Sequence, residues 1–256
     1  MFNVEILGPV VRFTMQREPV NAISNAFVAG FMQVLDGLAN KPDLAVLHLR
    51  SDQKAFCAGA DLAQVQTRFA LENGADLMVQ DIRGFHRLFD RHEALPLVTL
   101  AEIGGTALGG GFELALACDL RMASRSARLG LPEAQLGLIP GAGGTQRLTR
   151  LCGPGIAARI ILAADVVDGA TACQLGMVQW AIAPEALAQE AEALAQRIAA
   201  LSAPALRVSK RCLAQVATLA PEGFEVELQG THGLMATLDA RTRIQAFFAQ
   251  RGGARS

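Results

Sequence analysis

The chain has 256 residues, 51% of them hydrophobic, with a formal net charge of −1 and a pI of about 6.4. No cluster of Lys and Arg is dense enough to point to nucleic acid or an anionic membrane, and despite a mean hydropathy of +0.29 no apolar run approaches the ~18 residues of a membrane-spanning helix. The length suits one large core, or one core with an appended segment, and Met1-Phe2-Asn3-Val4-Glu5 lacks the basic and apolar stretches of a signal peptide, so a cytoplasmic location is expected.

Taken in chain order, residues 4–7 and 10–13 read as a hairpin around Gly8-Pro9. Residues 24–39 predict a helix, with Phe27, Phe31, Val34 and Leu38 recurring every three or four positions. Residues 44–49 predict a buried strand, followed by a Gly/Ala loop at 57–60. A long helical stretch carrying Leu77, Ile82, Phe85, Leu88 and Phe89 ends near Pro96. Residues 97–101 form the next expected strand, then come three glycines at 109–111, a helix through 114–117 and a strand at 120–123. Extra short strands are expected near 10 and 128. The alternation, with strands too apolar for a half-exposed antiparallel sheet, predicts an α/β fold with buried parallel strands.

Beyond about residue 155 the pattern is helical. Leu187, Ala191, Leu194, Ile198 and Leu201 form an amphipathic stripe. Pro204 opens another helix, and Pro221-Glu222-Gly223 separates a last helical region. Packing on the core and an oligomer surface fit these helices equally well.

Cys57, Cys118, Cys152, Cys173 and Cys212 are scattered with no C-x-x-C, so buried inert thiols are expected rather than disulfides or zinc. His48, His86, His92 and His232 share no metal-binding spacing, so no metal is expected and structural or surface roles are. Tyrosine is absent, which excludes a tyrosine acid. There is no Walker A, no G-x-G-x-x-G and no G-x-S-x-G, so phosphoryl transfer, dinucleotide redox and serine hydrolysis lose support.

Three Gly/Ala-rich elements remain: Phe56-Cys57-Ala58-Gly59-Ala60-Asp61-Leu62, the run Gly104-Gly105-Thr106-Ala107-Leu108-Gly109-Gly110-Gly111-Phe112-Glu113, and Leu131-Pro132-Glu133 leading into Ile139-Pro140-Gly141-Ala142-Gly143-Gly144-Thr145. Small side chains at strand and helix ends let a ligand touch backbone N–H groups. Two such groups aimed at one oxygen make an oxyanion hole. Glu113 and Glu133 stand in apolar surroundings. Either they converge as an acid/base pair, or Glu113 caps its helix and Glu133 is a surface charge.

Together the three elements resemble the enoyl-CoA hydratase/isomerase (crotonase) family over nearly the whole chain. Residues 56–62 look like its F-x-A-G-A-D-[IL] loop, residues 107–113 like its A-L-G-G-G-x-E segment, and 132–148 like its P-E…P-G-x-G-G-[ST] signature. The resemblance implies a ββα spiral core, here residues 1–195, and a C-terminal helical oligomerisation region, 196–256, forming homotrimers or homohexamers. It implies an acyl-CoA thioester substrate, with coenzyme A part of the substrate and no separate cofactor. By motif position, Ala60 and Gly110 N–H groups would form the oxyanion hole, and Glu113 and Glu133 would be the catalytic glutamates. Val20, Ala22, Ala58, Ala60, Asp61, Leu62 and Gly110 would contact the CoA thioester. Both glutamates favour hydration of a 2-enoyl-CoA. An isomerase, a hydratase of branched or aromatic acyl-CoA, and a non-catalytic acyl-CoA-binding subunit are the alternatives. Three departures stand out: Ala63-Gln64 follow Leu62 where relatives carry Lys or Arg, residues 101–106 read Ala-Glu-Ile-Gly-Gly-Thr, and Thr242-Arg243 replaces an acidic–Gly pair.

Overall fold

The computed structural model describes residues 1–216 and 222–252. Strands β1 (Phe2–Leu7) and β2 (Val10–Met15) form the expected antiparallel hairpin, with Leu7 opposite Val10. Helix α1 (Asn25–Leu38) starts where Ser24 accepts the N–H of Phe27, and it buries Phe27, Phe31, Leu35 and Leu38. The chain continues through β3 (Val46–Ser51), β4 (Ala55–Cys57), α2 (Leu62–Phe69) and α3 (Gly74–Glu93). Next come β5 (Val98–Ile103), β6 (Thr106–Leu108) and α4 (Gly110–Leu116). Then follow β7 (Leu120–Ser124), β8 (Arg128–Gly130), a 3-10 turn (Glu133–Leu136) and α5 (Gly144–Leu162). The last elements are β9 (Val166–Asp168), α6 (Gly169–Gln174), β10 (Trp180–Ile182), α7 (Leu187–Ala199), α8 (Ala203–Val216), α9 (Glu222–Met235) and α10 (Leu238–Gly252).

Two sheets result. The larger has the order β1-β2-β3-β5-β7-β10 and is parallel from β2 onward; the smaller has the order β4-β6-β8-β9. Three times the chain crosses the larger sheet, then the smaller, then returns by a helix: β3-β4-α2, β5-β6-α4 and β7-β8-α5. This is the ββα spiral that the resemblance implied. It puts residues 58–62, 109–113 and 131–144, each just past a strand of the smaller sheet, at the same end of that sheet.

The core lies between the sheets and their helices. Phe13 and Phe31 meet edge-on at 4.5 Å, and Phe2 closes on Phe27 at 4.9 Å, so the hairpin and α1 share one aromatic cluster. A second apolar layer packs Leu187, Ala191, Leu194 and Ile198 of α7 against Val10, Val46, Leu100 and Met122 on the other face of the larger sheet. Those four stripe positions are therefore core, while Leu201 remains exposed. The boundary drawn at 195/196 falls inside α7.

Several local expectations need correction. The long helical stretch before Pro96 is α3, and a further helix not read from the sequence, α2, precedes it across residues 70–73. The Gly/Ala loop begins as β4, with Phe56 and Cys57 in the strand. The region after 155 is not all helix, because β9 and β10 each take three residues in it. Among the extra strands, β8 lies where one was expected near 128. The break expected at Pro221 lies outside the described residues; Glu222 and Gly223 open α9.

The C-terminal helices turn back over the spiral. Gly137 sits so close to α10 that a β-carbon on it would lie 2.8 Å from the Ala240 Cα. A β-carbon on Gly141 would lie 2.8 Å from Thr231 Oγ1 of α9. Helix α9 thus covers the loop leading into α5, and α10 covers the turn carrying Glu133.

Candidate active site

Glu113 stands in the first turn of α4 and is almost wholly buried. Its Oε1 accepts the Ala142 N–H at 2.9 Å and the Gly144 N–H at 2.7 Å. These are N–H groups at the start of α5, which have no partner within that helix, so the carboxylate meets both free donors and the positive end of the first segment of α5, which runs as far as a kink at Gly153 (φ 80°, ψ 164°). The fit requires glycine: a β-carbon on Gly144 would fall 2.7 Å from Glu113 Oε1. Glu113 is therefore not a cap of its own helix.

Glu133 opens the 3-10 turn after β8 and is half-buried. Its carboxylate lies against Gly109, where a β-carbon would come 2.8 Å from Oε1. Gly109 has φ 52° and ψ −131°, a conformation open essentially to glycine alone. Glu113 and Glu133 thus flank the same helix start, one inside its first turn and one against its cap residue. Glu133 is not a solvated surface charge.

The backbones of residues 59–60 and 109–110 run side by side. A β-carbon on Gly110 would lie 3.5 Å from Ala60 N, and one on Gly59 would lie 3.2 Å from Gly110 N. Among the described residues, neither the Ala60 nor the Gly110 N–H donates to a backbone carbonyl. Two unspent backbone donors on adjoining segments are what an oxyanion hole is built from.

The remaining expected contact residues gather beside Ala60. Ala58 N–H donates to Val20 O at 3.0 Å, and Ile23 N–H donates to Gly59 O at 2.8 Å, tying the two segments together. Arg17 donates to Ala22 O and pairs with Asp61 at 2.7 Å. Asp61 Oδ1 also caps α2, accepting from the N–H groups of Ala63 and Gln64. Burial pushes the Asp61 carboxyl up, but these partners outweigh it and hold it below its ordinary value. Leu62 begins α2 and is half-buried. A cavity of about 10 Å³ adjoins Ala60 and Asp61, closed by Val65, Met78 and Phe85. A larger hollow of about 400 Å³ lies elsewhere, between residues 93–96 and α8, and touches neither glutamate.

Of the sequence departures, Gln64 donates to Asp81 at 3.0 Å, joining Arg68 and Asn25 on that buried carboxylate. Gly104 is exposed, with Leu187 of α7 as its neighbour. Sequence reading missed Asn21, Arg17, His86 and Arg147. Buried Asn21, at φ 52°, donates to Ser51 Oγ and Phe56 O and accepts the Arg17 N–H, so it shapes the loop that Val20 and Ala22 belong to. Its signal was a polar residue inside an otherwise apolar run.

The five cysteines are free. Burial pushes the Cys57 and Cys118 thiols up to about 12, which leaves them protonated and unreactive. His48 approaches Glu102 to 2.8 Å inside the larger sheet, and His232 meets Asp76 at the surface. Among the described residues no group of three or more His, Cys, Asp or Glu could hold a metal ion, and no helix is long and apolar enough to cross a membrane.

Comparison with known proteins carries the same pattern across the chain. The sequence profile described as "Enoyl-CoA hydratase/isomerase" matches residues 5–253. A "Crotonyl-CoA hydratase" of Syntrophomonas wolfei subsp. wolfei is 32% identical, covering 94% of this chain and 92% of the relative. An "Enoyl-CoA hydratase domain-containing protein 2, mitochondrial" of Bos taurus is 44% identical over 74% of this chain, which spans 64% of that protein's length. The crystal structure of an enoyl-CoA hydratase from Bacillus anthracis superposes with a TM-score of 0.79 at 32% identity, covering 97% of this chain and 96% of that one. With one profile spanning the spiral and the C-terminal helices alike, this protein belongs to the enoyl-CoA hydratase/isomerase family.

Proposed function

We propose that this protein is an enoyl-CoA hydratase, adding water across the 2,3 double bond of a 2-enoyl-CoA to give the 3-hydroxyacyl-CoA. The observation that carries the proposal is the pair of carboxylates flanking the start of α4 beside the unspent N–H groups of Ala60 and Gly110. In this reading those N–H groups receive the thioester oxygen as it gains enolate charge. Glu113 takes a proton from water as its oxygen adds at C3, and Glu133 gives a proton to C2. No ion or redox group is needed: the carbonyl is polarised by backbone donors and both protons move through carboxylates. The residues beside Ala60, namely Val20, Ala22, Ala58, Asp61 and Leu62, would carry the CoA portion.

Isomerisation of the double bond is the second reading, and the family description itself pairs the two activities. It needs proton transfer between C2 and C4 but no net addition of water. A panel of enoyl-CoA thioesters, followed by loss of the conjugated-thioester absorbance and by product analysis, separates them. Glu113→Gln and Glu133→Gln should each lower kcat by about 10²–10⁴-fold, the usual worth of a general acid or base. Full activity in either variant contradicts its assigned role.

We also propose that the protein works as a homotrimer or homohexamer. Leu201, Val208 and Leu213 on and before α8 leave large apolar side chains in solvent on the single chain, which supports a covered surface there.

A further inference from the structure

The loop that grips Glu113 is itself held from behind. His86, on the buried face of α3, places Nε2 2.7 Å from Gly141 O. A carbonyl oxygen only accepts, so Nε2 carries the proton. The Gly141 carbonyl and the Ala142 N–H belong to one peptide unit, and that N–H donates to Glu113 Oε1 at 2.9 Å. A donor on the carbonyl side polarises the peptide and strengthens its N–H as a donor. The unbroken chain is His86 Nε2–H, the 141–142 peptide, and the Glu113 carboxylate. Arg147 anchors the next peptide in the same way: Nη1 donates to Ala142 O at 3.1 Å, while Asp90 and Glu93 hold Nη2 at 2.9 Å each. The loop is therefore fixed by side chains of α3 and α5, not by its own backbone alone.

We propose that His86 is a positioning residue for the reaction, acting on Glu113 through the 141–142 peptide. The inference rests on the reading of Glu113 as the base. It differs from a packing role in one respect: packing needs an apolar body of the right size, whereas positioning needs a donor at the Nε2 position. Leucine supplies the first without the second. Glutamine reaches the same point with an amide N–H.

Steady-state kinetics of wild type, His86→Leu, His86→Gln and Glu113→Gln test it, on whichever enoyl-CoA of a chain-length panel is turned over fastest. His86→Leu should lose about tenfold in kcat with KM nearly unchanged, and His86→Gln should recover most of it. Wild-type kcat in His86→Leu, or no recovery in His86→Gln, overturns the proposal. Glu113→Gln reports separately on the base assignment, since an active Glu113→Gln sinks that reading whatever His86 does. Two spectroscopic arms need no turnover. The Ala142 amide proton should shift upfield in His86→Leu and hold its place in His86→Gln; one common shift in all three proteins overturns the chain. If His86→Leu does not fold, ¹⁵N-histidine spectra of the wild type decide, because His86 must be the Nε2–H tautomer and the other tautomer contradicts the proposal.

Discussion

Gly109 and Gly144 are the two residues at which a single methyl group would strike a carboxylate of the site. At Gly144 the added carbon falls on Glu113 Oε1 and would push the carboxylate off the Ala142 and Gly144 N–H groups. At Gly109 it falls on Glu133, and the φ of 52° adds roughly 1–3 kcal/mol of backbone strain. Gly144→Ala and Gly109→Ala should each lower kcat by at least about tenfold, with the larger loss of stability in Gly109→Ala. Kinetics beside thermal melting check this; a Gly144→Ala enzyme with wild-type kcat would show that Glu113's placement does not matter. The two glutamates and the glycine run were legible in the sequence because charges and gaps interrupt apolar segments there. That Glu133 fills the space at Gly109 was not, since they are 24 residues apart and meet only when β6 pairs with β8.

Between elements, His92 marks where α3, α1 and α4 pack. Its ring meets Phe31 edge-on at 5.6 Å and its Nε2 lies 3.2 Å from Cys118 Sγ. Burial, with the Lys210 and Arg147 charges adding to it, lowers its pKa from 6.5 to about 3. Above pH 6.5 the imidazole is neutral folded and unfolded, so nothing is lost. As pH falls below 6.5 the unfolded chain takes up a proton that the folded protein refuses until about 3. Stability should therefore drop through that window by up to about 1.4 kcal/mol per pH unit from this group alone. Urea unfolding at several pH values should show a shallower acid slope for His92→Leu than for wild type; equal slopes would remove His92 from the account. At this scale the hairpin, α1 and the long strands were legible from periodicity. A short strand was read at β8, near residue 128, but β4, β6, β9 and β10 have three residues each, too few for a period to register, and β4 and β6 adjoin glycine-rich turns. Their strand geometry comes from pairing with distant neighbours. Helix α2 was not read, because its eight residues bury only Val65 and Phe69.

At the scale of the whole molecule, the spiral brings three small-residue turns, separated by many residues in the chain, to one end of the smaller sheet. The family resemblance made that architecture legible; composition alone reached only an α/β fold. Which face the later helices bury was not legible, because core and oligomer surfaces share one period: α7 turned out to lie on the larger sheet, while α8 keeps Val208 and Leu213 in solvent. Sedimentation of the purified protein should give a trimer or hexamer, and a monomer at all concentrations would contradict the proposed assembly. Whether two carboxylates and two backbone donors add water, rather than only moving a double bond, is settled most directly by mass spectrometry of the product formed from a 2-enoyl-CoA in ¹⁸O-labelled water. A product heavier by one labelled water, formed by wild type and at least about 100-fold more slowly by Glu113→Gln or Glu133→Gln, is the predicted result. A product of unchanged mass with a displaced double bond, or no product from any enoyl-CoA, would contradict it.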